Sequence, residues 1–173
     1  MRPAVLISVI FCAFPASAQE DIPALNQKIV AFCDAKMGTK VGRGEPYDLA
    51  TFSLSYAGAD WDPLYKFGKK VYWRSQTIYP GDIIFMWNVT LERNGEKLKA
   101  EEYTAIVHEV KAKGAYIIAE QNWGKGQGVN LVELDMKTFR GGLQFFRPKE
   151  PPPPPKEPPP QPKVPPPPPP PEE

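Results

Sequence analysis

The strongest constraint on this chain is its last stretch, where 16 of its 23 prolines fall between Pro151 and Glu173. Proline has no backbone N–H to give and holds φ near one value, so such a run forms neither a helix nor a sheet ladder. It favours polyproline II, rising ~3.1 Å per residue, so the stretch can reach roughly 70 Å. Val164 is its one aliphatic side chain apart from the prolines. The reading is therefore a solvated arm over 149–173. It stands as a spacer, as a passive end, or as a ligand for a polyproline-binding protein with an aromatic groove.

The opposite end has a different character. Arg2, the apolar run Val5 to Phe14 and the small-residue ending Ala16-Ser17-Ala18 read as a secretory signal over 1–18, with the mature chain starting at Gln19. That apolar run is too short to span a bilayer, so no membrane span is expected in the mature chain. The expected location is secreted, periplasmic or at the cell envelope. Between leader and arm, about 130 residues remain, enough for one domain with a core and too few for two.

Charge and residue counts exclude several function classes. Twenty-one basic groups against 20 acidic ones leave a formal charge of +1, so no basic field suggests nucleic acid. One histidine, His108, and one cysteine left after the leader (Cys12 departs with it) cannot build a tetrahedral Cys/His zinc site. No metal or other cofactor is implied. Cys33 shares a four-residue spacing with Leu25, Ile29 and Met37, the apolar face of a helix. A secreted lone thiol could be reactive, pair between chains or be buried, and the spacing favours burial.

Along the domain (19–148), Asp21 and Pro23 open a helix running to about Met37. A glycine-bearing loop leads to a second helix that starts near Pro46 and ends before Gly58. Strands follow at Lys70–Trp73 and Ile83–Trp87. Asn94-Gly95 predicts a hairpin turn between Val89–Leu91 and Leu98. Further strands are predicted at Tyr103–Val110, Ala115–Asn122, Val129–Leu134 and Leu143–Arg147. Helices first and strands afterwards give an α+β domain with an antiparallel sheet.

Four segments carry a resemblance: Gly42 to Ala50, Pro80-Gly81-Asp82-Ile83-Ile84, Tyr103 to Val107 and Glu120-Gln121-Asn122-Trp123. In this order they resemble the papain-like CHAP and NlpC group of cell-wall amidases and peptidases. They are also similar to the cysteine-proteinase-fold domain of fungal actin-patch proteins, with a closing strand like Gly142 to Pro148. In that group a nucleophilic cysteine opens the second helix, where the positive end of the helix stabilises a thiolate. The resemblance puts that position at Pro46 and the general base at Tyr103. Glu120 and Asn122 match the orienting positions, and two-residue spacing on a strand would aim both to one side, where either accepts the Tyr103 phenol or satisfies nearby backbone.

Other chemistry has little support in the sequence. His108 is five residues from Tyr103, an odd offset that places it on the opposite strand face. No Gly-x-Ser-x-Gly elbow occurs, and the Gly124-to-Gly128 cluster lacks the Lys-Ser/Thr ending of a phosphate loop. Asn88-Val89-Thr90 matches a glycosylation sequon. Tyr47, Tyr103 and Trp123 are candidates for a shallow aromatic floor that binds peptide or glycan. The reading is a non-catalytic pseudoenzyme used for binding or scaffolding. Its rivals are a hydrolase using Cys33, His108 and Glu120, and a spacer acting through the arm.

Overall fold

The computed structural model describes residues 21–93, 96–122 and 126–153. The leader, the Asn94-Gly95 turn, Trp123 and most of the arm lie outside the described residues. No helix among the described residues is long and apolar enough to cross a membrane.

Two helices precede six strands: α1 Ala24–Lys36, α2 Pro46–Ala57, β1 Lys69–Val71, β2 Ile83–Arg93, β3 Glu96–Ala112, β4 Ala115–Glu120, β5 Asn130–Asp135 and β6 Arg140–Arg147. The strands form one antiparallel sheet in the order β1-β6-β2-β3-β4-β5. The expected α+β architecture is the observed one.

Period-two alternation divides the sheet between two cores. One face carries Ile83, Ile106, Ala119 and Phe146, packed against Leu25, Ile29 and Cys33 of α1 and Leu49 and Leu54 of α2. The other face carries Ile84, Met86, Val107, Ile118, Leu134 and Phe145. No helix among the described residues covers this second face. Tyr116 of β4 and Phe145 of β6 have ring centroids 5.5 Å apart although two strands separate them in the sheet. In a flat sheet those strands would be roughly 14 Å apart, so the sheet curls and its concave face fills itself.

Several elements depart from the sequence reading. β1 ends at Val71 because Ser75 and Gln76 N–H groups turn back to the Tyr72 carbonyl, so Trp73 leaves the ladder. Ile83 to Arg93 is one strand, interrupted by a register shift between Trp87 and Thr90 where Asn88 takes φ 49°. Arg93 pairs with Glu96, the first described residue after it. Asn88, the acceptor of the sequon, is exposed at this bulge.

The Pro-Gly-Asp segment that precedes β2 is a buried junction. Asp82 is wholly buried and accepts from Arg147 Nη2 at 3.0 Å, Asn26 Nδ2 at 2.9 Å and the Tyr79 N–H at 3.0 Å. It thereby ties α1 to the two central strands. Gly81, at φ 85°, lies against α1, and a Cβ there would sit 2.4 Å from the Asn26 carbonyl oxygen.

Candidate functional site

The loop before α2 is wrapped around one carboxylate. Asp48, in the first turn, accepts the Arg43 N–H at 2.7 Å and Arg43 Nη2 at 3.2 Å. Burial alone would raise the Asp48 pKa, but these Arg43 bonds outweigh it and hold the carboxyl below its ordinary value. Gly42, at φ 60°, lets the loop close on Asp48, since a Cβ there would lie 2.8 Å from Oδ2. The result fixes Glu45 and Pro46 at the mouth of the helix, with Pro46 in its first turn where a missing N–H costs nothing.

A cleft of about 470 Å³ opens there, lined by Glu45, Pro46, Tyr47, Tyr65, Glu102 and Tyr103 among others. The two positions matched to nucleophile and base, Pro46 and Tyr103, thus line the same cleft. The Tyr103 hydroxyl donates to the Glu120 carboxylate and contacts the Gln121 carbonyl oxygen at 3.1 Å. Burial and the adjoining Glu120 charge push the phenol far above its ordinary pKa, so it stays protonated. Tyr103 belongs to the core on the second face of the sheet, and its hydroxyl meets Glu120 there.

Asn122 does not join them. β4 ends at Glu120, and Asn122 takes φ 68°, so the strand alternation that would aim it beside Glu120 no longer applies. Its side chain instead approaches Glu45 Oε2 at 3.4 Å. Gln121 takes the linking role. Its buried amide bonds the Val41 N–H and carbonyl, both at 3.1 Å, and the Glu45 carbonyl at 2.5 Å, stitching the α2 loop to the end of β4. Sequence alternation gave no sign of this, because it concerns strands and Gln121 lies just past one.

Of the expected aromatic floor, two rings fall among the described residues. Tyr47 lines the cleft, but Tyr103 is only 4% exposed and Trp123 lies outside the described residues. Tyr65 also lines the cleft, with its ring centroid 5.4 Å from Tyr47 and 4.6 Å from Phe85. Its hydroxyl donates to Glu102 Oε2 at 2.5 Å, and that bond, with burial, pushes its pKa up to about 12. Tyr65 adopts φ 57°, a conformation rare for a bulky side chain. Beside Tyr103, the buried Thr104 Oγ1 has no hydrogen-bond partner among the described residues.

The rival catalytic set is divided between the two faces of the sheet. Cys33 is buried between α1 and the sheet, and desolvation, with Asp34 nearby, pushes its pKa up to about 12. His108 Nε2 lies 2.7 Å from Asp34 Oδ1 on the helix side, opposite Tyr103. Glu120 is on the concave side with Tyr103.

Two helices on a curled antiparallel sheet, with a helix mouth facing the start of a central strand segment, define a domain of the cysteine-proteinase fold. Residues 24–151 match the model of the AIM3/BBC1 Cysteine proteinase-fold domain, and the chain belongs to that family. Among solved structures, "The crystal structure of Ly7917" is similar over 70% of this chain and 62% of that one, with 14% identity and a TM-score of 0.48. "The crystal structure of Ly7917 with the hydrolyzing product of MDP" is similar over 71% of this chain and 62% of that one, at 17% identity and a TM-score of 0.49. The chain spans less than two thirds of either. Comparison with curated proteins finds no match.

Proposed function

We propose that this domain is a non-catalytic binding module, working outside the cell or at the cell envelope, whose degenerate cleft takes a peptide or glycan. The observation that carries this reading is that Pro46 and Tyr103 both line one cleft. A side chain without an ionisable group stands where a nucleophile is needed, and a phenol held protonated stands where a base is needed. What remains suits recognition: the rings of Tyr47 and Tyr65, the Glu45 and Glu102 carboxylates, and a buried threonine hydroxyl in the wall. The secreted location rests on the leader-like residues 1–18.

The test is a panel of peptides and glycans offered to the full chain, with binding and product formation both recorded. Binding that is lost on Tyr47→Ala, without any cleavage product in the mass spectrum, is the expected result. A cleavage product that disappears with Cys33→Ser or His108→Ala would overturn the reading in favour of a hydrolase. N-terminal sequencing of the exported chain should begin at Gln19, and an intact Met1 would remove the extracellular assignment.

A further inference from the structure

Beside the cleft lies a second and larger groove, of about 860 Å³, whose lining includes Trp61, Tyr65, Phe85, Trp87, Phe146 and Lys149. Its floor is a ladder of rings. Tyr65 and Phe85 are 4.6 Å apart with planes tilted 32°, and Phe85 and Trp87 are 5.9 Å apart with planes tilted 33°. Trp87 is 40% exposed and the neighbouring Leu64 is 74% exposed. An apolar surface of this kind marks a binding site more often than a bare face.

The ladder is positioned by specific contacts. Tyr65 is held in its rare backbone conformation while its hydroxyl is anchored on Glu102. Trp87 pairs across the sheet with Gly142, and a Cβ at Gly142 would lie 2.0 Å from the indole. The absent side chain is what allows the indole to lie over β6.

Near the end of the described residues, the chain runs along this groove. Lys149, one of the lining residues, accepts the Asp60 N–H on its carbonyl at 2.9 Å and places its Nζ 2.7 Å from Asp60 Oδ2. Pro151 follows two residues later, and 154–173 lie beyond the described residues. A polyproline II helix repeats every three residues, or ~9 Å, a length comparable to the ring ladder, and aromatic grooves bind it because its shape is already set before binding.

We propose that this groove is the docking site for the chain's own proline-rich arm, bound within the same molecule. Tethering at Lys149 holds the prolines near the rings at an effective concentration on the order of millimolar, which a second copy in dilute solution does not match. The groove shares Tyr65 with the cleft but is otherwise separate, so a failure of this inference leaves the peptide or glycan reading of the cleft standing, and the reverse also holds.

The test attaches a nitroxide to the full chain through Val164→Cys in a Cys12→Ser background, Cys33 being buried. The Trp61 and Trp87 indole N–H signals are then read by NMR. The expected result is a roughly twofold or greater loss of both intensities at any protein concentration, as for a tethered ligand that is mostly bound. Phe85→Ala should restore them, and so should Gly142→Ala, which displaces the indole without imposing an unusual φ. Unchanged indole signals, or broadening that survives both substitutions, would overturn the proposal. Broadening that grows with concentration would also overturn it, by assigning the groove to another copy's arm.

Discussion

At the scale of single residues, Asp82 and Tyr103 show how buried polar groups set the geometry around the cleft. Asp82 is an anion removed from water and made tolerable by Arg147, Asn26 and the Tyr79 N–H. Asp82→Ala leaves Arg147 without its charge partner, and denaturant titration should show a loss of about 3–5 kcal/mol. Tyr103→Phe removes the donor that Glu120 uses, so a loss of about 1–3 kcal/mol is expected by the same measurement. Pro46→Cys combined with Tyr103→His places a thiol at a helix mouth beside an imidazole. That thiol should react with iodoacetamide below pH 8 in the folded protein, where Cys33 does not. Equal labelling rates at the two positions would mean that the cleft no longer has the family's geometry. That Pro46 opens α2 and that Tyr103 lies within a strand were legible in the sequence, from local helix and strand signals. Gln121, Tyr65 and Thr104 were not, because their roles depend on which distant segment folds against them.

At the scale of elements, the loop preceding α2 behaves as a cap built from Asp48. Its carboxyl has a folded-state pKa below its ordinary value, so the folded form holds the proton less well than the unfolded chain. The associated stability is fully present above the unfolded pKa and is lost as pH falls through the folded one. Asp82 has the opposite sign: burial raises its pKa, and its contribution is fully present below the unfolded pKa and declines as pH rises through the folded one. Asp48→Asn should therefore lower the denaturation midpoint at pH 7 and flatten the acid side of its pH profile. A profile identical to that of the unsubstituted chain would show that the Arg43 bonds contribute nothing to the fold. The helices and the antiparallel pairing of β2 with β3 were readable locally, since caps, turn residues and apolar spacing act over a few residues. Strand ends were less so. Trp73 and Asn122 read as strand by composition, yet backbone turns at Tyr72 and after Glu120 remove them from the ladder.

At the scale of the whole molecule, Cys33 reports on the main core. It is fully buried among Ile29, Leu49 and the sheet, and its thiol is pushed up to about 12 by desolvation. Labelling by a disulfide reagent should follow the rate of global unfolding, slowing in proportion as a stabilising condition lowers that rate. Fast labelling in native buffer would reveal local opening between α1 and the sheet. The sequence by itself determined the order of helices and strands, the burial of Cys33 and the proline-bearing helix start. These follow from local rules of propensity, periodicity and backbone chemistry. Only the tertiary structure decided that the rings of Tyr116 on β4 and Phe145 on β6 meet across the sheet, that Gln121 rather than Asn122 stitches the α2 loop to β4, and that the aromatic surface runs through Tyr65 to Trp87. Those outcomes are set by long-range packing, where the free energy depends on which surfaces meet and the chain's local spacing carries no record of it.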